Sequence, residues 1–275
     1  VRFSEPIPWD GGWILRQVLR ARSRQPIEAR RVRTTDYGAL FNTKLNNGNS
    51  EPLQPNDPLI ALDPDEVASL LEYGGPFSKY FEGYEFRPQQ VEMLRSITTA
   101  FSQGYHLMVE AGTGTGKSFA YLVPSALWAL QNNTRVVIST NTIALQDQLM
   151  LKDIPDLRAA LNLDLRAAVL KGRNNYLCPR RLETLRQRGP DTSEEMRVLG
   201  KVLVWLHDGG QGDRNEINLN GPIERQIWSS LSAEDEGCKA ETCLSRTGGA
   251  CPFFRARMAA QTAHLLVVNH ALLLS

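Results

Sequence analysis

Over residues 62–170, short segments typical of buried strands alternate with longer segments whose apolar residues have the spacing of a helix. Three short runs are mostly apolar or rich in β-branched residues, which is typical of buried strands: YHLMVEA (105–111), RVVIST (135–140) and LRAAVL (165–170). Four longer segments carry apolar residues at helical spacing: DPDEVASLLEYGG (63–75), RPQQVEMLRSITTAF (87–101), KSFAYLVPSALWAL (117–130) and TIALQDQLM (142–150). Strands that alternate with helices predict an α/β fold with a parallel sheet covered on both faces.

The alternation stops after residue 170, and a strand pattern returns only in HLLVVNHALLL (264–274). Between them lie a predicted helix, TSEEMRVLGKVLVWL, with a capping box from Thr192 to Glu195, and a long loop. We therefore interpret residues 171–263 as a mainly helical insertion between two strands of one sheet. The predicted organisation is an N-terminal extension and linker (1–60), a first domain (61–170), the insertion (171–263) and the return strand of the first domain (264–275).

The composition of the chain bears on its location in the cell and on its partners. No run approaches the roughly 20 apolar residues that span a bilayer, and the start lacks the layout of a signal peptide, so we expect a soluble, cytoplasmic protein. The formal net charge of +1 does not indicate a partner. The arginine-rich stretch RQVLRARSRQPIEARRVR is interpreted as a solvated helix face or the tail of a neighbouring domain. Because the chain lacks an initiator Met, we expect an internal fragment of a longer protein.

A glycine-rich motif, EAGTGTGKS (110–118), lies between a predicted strand and a predicted helix. It matches the phosphate-binding P-loop, except that an alanine replaces the first glycine. Lys117 is expected to reach the β- and γ-phosphates of ATP, and Ser118 to complete the coordination of Mg²⁺. The backbone of the loop would hold the phosphates: Ala111, Gly112, Thr113, Gly114, Thr115 and Gly116. The alternative, a glycine-rich turn with a coincidental Gly-Lys-Ser, does not explain the flanking strand and helix.

All four cysteines fall inside the predicted insertion: Cys178, Cys238, Cys243 and Cys251. In a reducing compartment such a group favours a cofactor over disulfides. The gaps of four and seven residues between the last three are wider than the short pairs of most zinc sites, and the last cysteine is followed by proline, as in bacterial ferredoxins. These features favour a 4Fe–4S cluster, while a structural zinc and unrelated buried thiols remain alternatives.

The motifs together resemble a known family. The sequence AGTGTGKS followed by VVISTNTIALQDQL resembles motifs I and Ia of the second helicase superfamily. A four-cysteine insertion after the third strand, flanked by LKGRNNYLCPRRL and CPFFRARMAAQTAHLLVVNHALLL, resembles the XPD and DinG group of DNA helicases. The resemblance covers about residues 62–275. It implies a RecA-like P-loop NTPase domain with an inserted 4Fe–4S cluster domain.

The resemblance also implies an activity, namely an ATP-dependent helicase that moves 5′ to 3′ on single-stranded DNA and opens forked or structured DNA in repair or replication. Its cofactors would be ATP, Mg²⁺ and the cluster. In EFRPQQVEM, Arg87 and Gln90 would read the adenine. The expected DNA contacts are Thr140, Asn141, Thr142 and Gln146 after the second strand, and Arg173 and Tyr176 beside the first cysteine.

The same resemblance also predicts where a later motif lies. It places the Asp-Glu-Ala-His box shortly beyond Ser275, so we expect that this chain alone turns over no ATP above background. Two other classes stay open: an RNA-directed motor, and a P-loop protein that is not a motor and carries a zinc or redox module.

Overall fold

The computed structural model describes residues 41, 51–112, 114–233 and 238–275, with only the backbone of residues 240–242 and 244. The chain divides into two compact units. We call them the sheet unit, which comprises residues 51–171 and Ala256–Ser275, and the cysteine unit, which comprises Phe41 and Gly172–Arg255. The arginine-rich stretch of the N-terminal extension and Thr113 of the P-loop lie outside the described residues.

The sheet unit contains most of the predicted elements. Its helices and strands are α1 (Pro64–Ser69), α2 (Pro76–Tyr80), α3 (Pro88–Gln103), α4 (Lys117–Gln131), β1 (Val136–Thr140), α5 (Ile143–Gln148), a π-helical turn (Leu149–Asp153), α6 (Ile154–Leu161) and β2 (Ala167–Val169). The cysteine unit follows with a 3₁₀ turn (Arg173–Asn175), α7 (Pro179–Arg188), α8 (Ser193–His207), a second 3₁₀ turn (Arg214–Glu216), α9 (Pro222–Leu231) and α10 (Ala240–Thr247). Helix α11 (Pro252–Thr262) leads back to the sheet unit, where β3 (Leu265–Asn269) and α12 (His270–Leu273) complete the order.

Local sequence signals explain where the helices of the sheet unit begin and end. The Asp63 carboxylate accepts from the backbone amides of Asp65 and Glu66, so it caps α1. Helix α3 ends at Gly104, which adopts a left-handed conformation with φ of 70°. Pro124 lies inside α4, which continues through it to Gln131.

The sheet is parallel, and its strands lie in the order β1-β3-β2. Val136 pairs with Leu265 and Thr140 pairs with Asn269, so the carboxyl ends of β1 and β3 lie at the same edge. β3, which follows the cysteine unit in the chain, is therefore the central strand of this sheet. Fully buried side chains from the helices and β3 form the core of the unit, among them Phe77, Leu94, Leu122, Leu157 and Leu265.

One predicted strand is wrong. Residues 105–110 form no strand, and each of them is exposed; Met108 is 98% exposed. The segment is apolar enough for a buried strand, but in the described part of the chain no strand lies beside it to pair with its backbone. Without a ladder of hydrogen bonds and a covering layer, an apolar run of this length does not become a buried strand.

The cysteine unit has its own core, to which Phe41, Leu177, Leu199, Trp228 and Leu231 contribute. Helices predominate among the described residues of this unit. The chain before the first cysteine runs between two loops, and it forms isolated antiparallel bridges from Tyr176 to Asp213 and from Leu177 to Ser232.

The predicted capping box at α8 is present in a modified form. The Thr192 hydroxyl accepts from the backbone amide of Glu195 at 3.1 Å, as predicted. The Glu195 carboxylate, however, accepts from the amide of Asp191 rather than from that of Thr192, and it also pairs with Arg188. In the described part of the chain, none of the helices is both long enough and apolar enough to cross a membrane.

Candidate functional site

The glycine-rich loop bends where the sequence predicts a phosphate site. Gly114 and Gly116 adopt left-handed conformations, with φ of 81° and 76°. This region favours glycine because a Cβ atom would be strained there. Helix α4 begins immediately afterwards at Lys117, so its free amides and the positive end of its dipole lie at the loop. This arrangement is suited to an anion.

Lys117 extends back across the loop. Its Nζ donates to the backbone carbonyl of Ala111 at 2.9 Å and to that of Gly112 at 3.0 Å. The ammonium group thus lies over the loop, where phosphate oxygens could replace the two carbonyls as acceptors. Ser118 is half-buried in the first turn of α4, and its hydroxyl is the oxygen ligand that the loop offers to Mg²⁺.

Gln90 is bound to the loop itself. Its side chain is buried, and Nε2 donates to the carbonyl of Gly116 at 2.7 Å. The approach is so close that a Cβ atom on Gly116 would lie 2.3 Å from Gln90 Nε2. Arg87, the other predicted adenine contact, is exposed at the start of α3 and pairs with Glu85 at 3.1 Å. Gln90 therefore stabilises the loop, while Arg87 remains at the surface.

The predicted DNA contacts after β1 divide into surface and interior residues. Asn141 and Thr142 are exposed, and the Thr142 hydroxyl caps α5 by accepting from the amide of Leu145. The Thr140 side chain is buried, and its hydroxyl donates to the carbonyl of Thr142. Gln146 is 1% exposed, and both polar atoms of its amide lack a hydrogen-bond partner among the described residues. The structure thus places Thr140 and Gln146 inside the sheet unit rather than at the predicted surface, because α5 turns its inner face to the sheet.

A contact that sequence reasoning missed joins the ends of two strands. Ser139 Oγ lies 2.7 Å from Nδ1 of His270, which follows β3 directly. The parallel register of β1 and β3 brings these side chains together. The two residues are far apart in the sequence, so only the register of the sheet could have indicated this pair.

Three of the four cysteines lie directly before a helix or inside one, and Cys238 lies in the loop before α10; all four are in the cysteine unit. Cys178 precedes α7, and its amide donates to the carbonyl of Leu231 at 2.8 Å. Cys243 lies in α10, and Cys251 precedes α11; both are buried, while Cys178 and Cys238 are partly exposed.

Electrostatic effects show that the four thiols share one neighbourhood. Burial raises the pKa of Cys251 to about 12, and the other three cysteines raise it as well. Burial also raises the pKa of Cys238, with further contributions from Cys243 and Cys178, whereas Arg173 lowers it. Both effects favour the protonated thiols of Cys238 and Cys251 when no cation is bound. A bound metal would reverse this preference, and the protons would be released.

The chemistry of the donor set determines which metal groups the cysteine unit suits. Among the described residues, no three Cys, His, Asp or Glu side chains form a group that could hold a metal ion as they stand. The ligands of a 4Fe–4S cluster are four cysteine thiolates, and four thiolates also suit a structural zinc. The four cysteines of this unit therefore fit a cluster by their chemistry.

The two predicted DNA contacts beside the first cysteine differ in their exposure. Tyr176 is 5% exposed, and its ring packs 5.5 Å from that of Phe253. Arg173 is exposed, with its guanidinium 5.6 Å from the centre of the same Phe253 ring. Arg173 is thus available at the surface. The Tyr176 ring lies in the interior, because the strand bridges of this segment turn it towards α11.

Comparison with known protein families gives a match for part of this chain. Residues 87–186 match the family described as DEAD/DEAH box helicase. This match begins at the predicted adenine contact, includes the phosphate loop, and ends in α7. The similarity to DEAD/DEAH box helicases is therefore carried by this segment.

Individual proteins similar to this chain are named as DNA helicases or as DinG proteins. The chain is 34% identical over 199 residues to the 3′-5′ exonuclease DinG of Bacillus subtilis, a match that covers 72% of this chain and 21% of the relative. It is 36% identical over 204 residues to the ATP-dependent DNA helicase YoaA of Escherichia coli, covering 73% and 31%. It is 38% identical over 205 residues to the ATP-dependent helicase DinG of Mycobacterium tuberculosis, covering 68% and 30%. The chain is thus similar to helicases named DinG and YoaA, and it spans about a fifth to a third of the length of these relatives.

Proposed function

We propose that this chain is part of an ATP-dependent DNA helicase and that it supplies the ATP-binding site of the first motor domain. The observation that carries the proposal is the geometry of the phosphate loop: two left-handed glycines, then Lys117 at the start of a 15-residue helix. This loop supplies amide donors and one mobile cation to a triphosphate, and the Ser118 hydroxyl to its Mg²⁺. Magnesium, when bound, neutralises charge that develops on the phosphates.

The test of the phosphate site is Lys117→Ala. In the complete protein we expect this variant to lose ATP turnover, because the cation that faces the phosphates is gone. Binding to single-stranded DNA without nucleotide should stay nearly unchanged, since Asn141 and Thr142 lie elsewhere on the sheet unit. Lys79→Ala is the matched control, because Lys79 is an exposed lysine at the end of α2. Loss of both activities in a folded Lys117→Ala variant would contradict the assignment.

Single-stranded DNA is the proposed partner. Asn141 and Thr142 are exposed at the carboxyl end of β1, where short polar side chains suit contacts to a phosphate backbone. Arg173 offers an exposed cation on the cysteine unit. Movement in the 5′-to-3′ direction, the opening of forked duplexes and a role in repair or replication follow from the resemblance to the XPD and DinG group.

We further propose that the cysteine unit holds a 4Fe–4S cluster through Cys178, Cys238, Cys243 and Cys251. The proposal is supported by the presence of all four thiols in one compact unit, at or near the starts of α7, α10 and α11, and by the effect of the neighbouring cysteines on the pKa values of Cys238 and Cys251. The cluster would join the loop before α10 to the three helices. In this proposal residues 171–263 are an inserted cluster domain, residues 61–170 and 264–275 belong to the motor domain, and residues 1–60 form an extension and linker.

The cluster is tested by anaerobic purification, visible absorption, and analysis of iron and acid-labile sulfide. We expect brown protein with iron and sulfide in near-equal amounts. Cys243→Ser should lose iron and become more sensitive to protease within residues 171–263 than in the sheet. Ala250→Ser is the control, because it places a hydroxyl at another fully buried site of the unit and removes no thiol. Colourless, zinc-loaded protein that still binds DNA would refute the cluster and favour the zinc alternative.

The two remaining alternatives are separated by simple assays. An RNA-directed motor would bind RNA strands in preference to DNA of the same sequence, because it would use the 2′-hydroxyl. A P-loop protein that is not a motor would hydrolyse ATP at a rate that single-stranded DNA does not change. We expect DNA to be preferred and to stimulate hydrolysis in the complete protein.

A further inference from the structure

One loop of the cysteine unit, residues 211–213, contacts the segment that leads to the first cysteine, and we call it the brace loop. The backbone carbonyl of Gly212 accepts from the amide of Leu177 at 2.9 Å. Leu177 is fully buried and directly precedes Cys178, whose own amide donates to the carbonyl of Leu231 at 2.8 Å. The backbone at the first cysteine is therefore held on one side by the brace loop.

The brace loop also contacts the start of α11, directly after the last cysteine. Gly212 is buried against Pro252, which follows Cys251. A Cβ atom on Gly212 would lie 2.7 Å from Cβ of Pro252 and closer still to its Cγ, so no other side chain fits without displacing the proline. One turn further along α11, Nη2 of Arg255 donates to the carbonyl of Gln211 at 2.8 Å. The helix of the last cysteine is thus held to the same loop by two contacts.

Contacts within and beside the brace loop keep its shape. The Glu216 carboxylate accepts from the amide of Gln211 at 2.7 Å, and the Asp213 carboxylate accepts from the amide of Asn215 at 3.0 Å. Gly212 lies between the two and has φ of 93°, a conformation that favours glycine. Because the loop is held at both ends, a displacement of the start of α11 would be passed on to the segment before the first cysteine.

This arrangement concerns two of the four thiols. Cys178 and Cys251 are far apart in the sequence, yet the brace loop contacts the residue before one and the residue after the other. Cys238 and Cys243 lie on a different segment, directly before α10 and inside it. A metal group that needs several ligands binds more favourably when some of them are already in place, since less conformational freedom is lost on binding.

We propose that the brace loop makes Cys178 and Cys251 a preformed pair of cluster ligands, and that Gly212 is its positioning residue. The absence of a side chain at Gly212 lets the backbone lie directly on Pro252 while its carbonyl holds Leu177. This inference rests on the proposed cluster and adds residues that orient its ligands. Outer residues that orient metal ligands usually change metal affinity by about 10- to 100-fold when they are altered.

The test compares Gly212→Ala with Gly209→Ala. Gly209 lies in the same unit with φ of 96°, and among the described residues no atom lies within 4 Å of an added Cβ. Both variants therefore carry the same backbone strain, and only Gly212→Ala also displaces Pro252. Each chain is reconstituted anaerobically with iron and sulfide, and the loss of visible absorption is followed after an iron chelator is added. We expect Gly212→Ala to lose the cluster about 10-fold faster than the wild type or more, and Gly209→Ala to match the wild type.

A second measurement does not need the cluster. Hydrogen exchange of the metal-free chain is followed in the peptide that contains Leu177 and Cys178. Gly212→Ala should speed exchange in this peptide, because the acceptor of the Leu177 amide moves with the loop. Gly209→Ala should leave it unchanged. Unchanged exchange in Gly212→Ala would contradict the brace, and faster exchange with a normal cluster lifetime would show that the contact is structural alone.

Two further outcomes concern the cluster directly. Equal lifetimes in the two glycine variants would overturn the inference. If Gly212→Ala does not fold, Arg255→Met removes the other contact of α11 with the loop, and Arg257→Met removes the same charge from an exposed position of α11. Only Arg255→Met should shorten the cluster lifetime, and an unchanged lifetime would refute the brace. A wild-type chain that takes up no iron and sulfide would refute the proposed cluster itself, whereas a loaded wild type with an insensitive Gly212→Ala would overturn this inference alone.

Discussion

Gly116→Ala tests the packing of the phosphate loop at its tightest point. Gly116 has φ of 76°, and the added Cβ would lie 2.3 Å from Gln90 Nε2. An alanine in the left-handed region costs about 1–2 kcal/mol. If Gln90 moves away, its bond to the Gly116 carbonyl is lost, which costs a further ~1 kcal/mol. We therefore expect the sheet unit to lose about 2–3 kcal/mol of unfolding free energy.

Gly114→Ala separates the two contributions. Gly114 has φ of 81°, but nothing lies within 4 Å of the position that an added Cβ would take, so only the backbone strain applies, about 1–2 kcal/mol. Unfolding in urea, followed by hydrogen exchange of α4 peptides, measures both variants in the same unit. Adding Gln90→Ala to Gly116→Ala should reduce the loss relative to the sum of the single changes. Equal losses for the two glycine variants, or additive effects of Gln90→Ala and Gly116→Ala, would refute the close approach of Gln90.

Two further predictions concern other parts of the chain. Thr192→Ala should destabilise the cysteine unit by about 1 kcal/mol, because the cap of α8 is lost; urea unfolding checks this, and an unchanged midpoint would contradict the cap. Burial and the charge of Arg166 lower the pKa of His264, so the folded state binds its proton less well than the unfolded state. The sheet unit should therefore lose stability as the pH falls below ~6.5, and His264→Gln should weaken this dependence between about pH 7.5 and 5.5. A variant with the same pH profile as the wild type would show that His264 is not responsible.

Much of the secondary structure could be predicted because it depends on neighbours in the sequence. The helical spacing of α3, α4 and α8 and the β-branched runs of β1 and β3 appear where the patterns predict them. The glycines and lysine of the phosphate loop were recognisable for the same reason, since a left-handed turn before a helix needs particular residues at fixed positions.

The segment 105–110 marks the limit of that reasoning. Its apolar pattern predicts a buried strand, yet the structure leaves Met108 almost fully exposed. A strand needs a partner for its backbone, and the sequence of the segment contains no information about which strand lies beside it. The hydrophobic pattern therefore shows that this segment is apolar, but it does not determine the conformation of its backbone.

The candidate site is assembled by contacts between segments that are distant in the chain. Gln90 and Gly116 meet because α3 packs beside α4, and Ser139 meets His270 because β1 and β3 pair in parallel. Tyr176 turned inward for a similar reason. Local patterns in the sequence specify which residue types stand at each turn, strand end and helix start. Which of these side chains are buried, and which touch one another, depends on contacts between segments far apart in the chain, and no local pattern specifies those contacts.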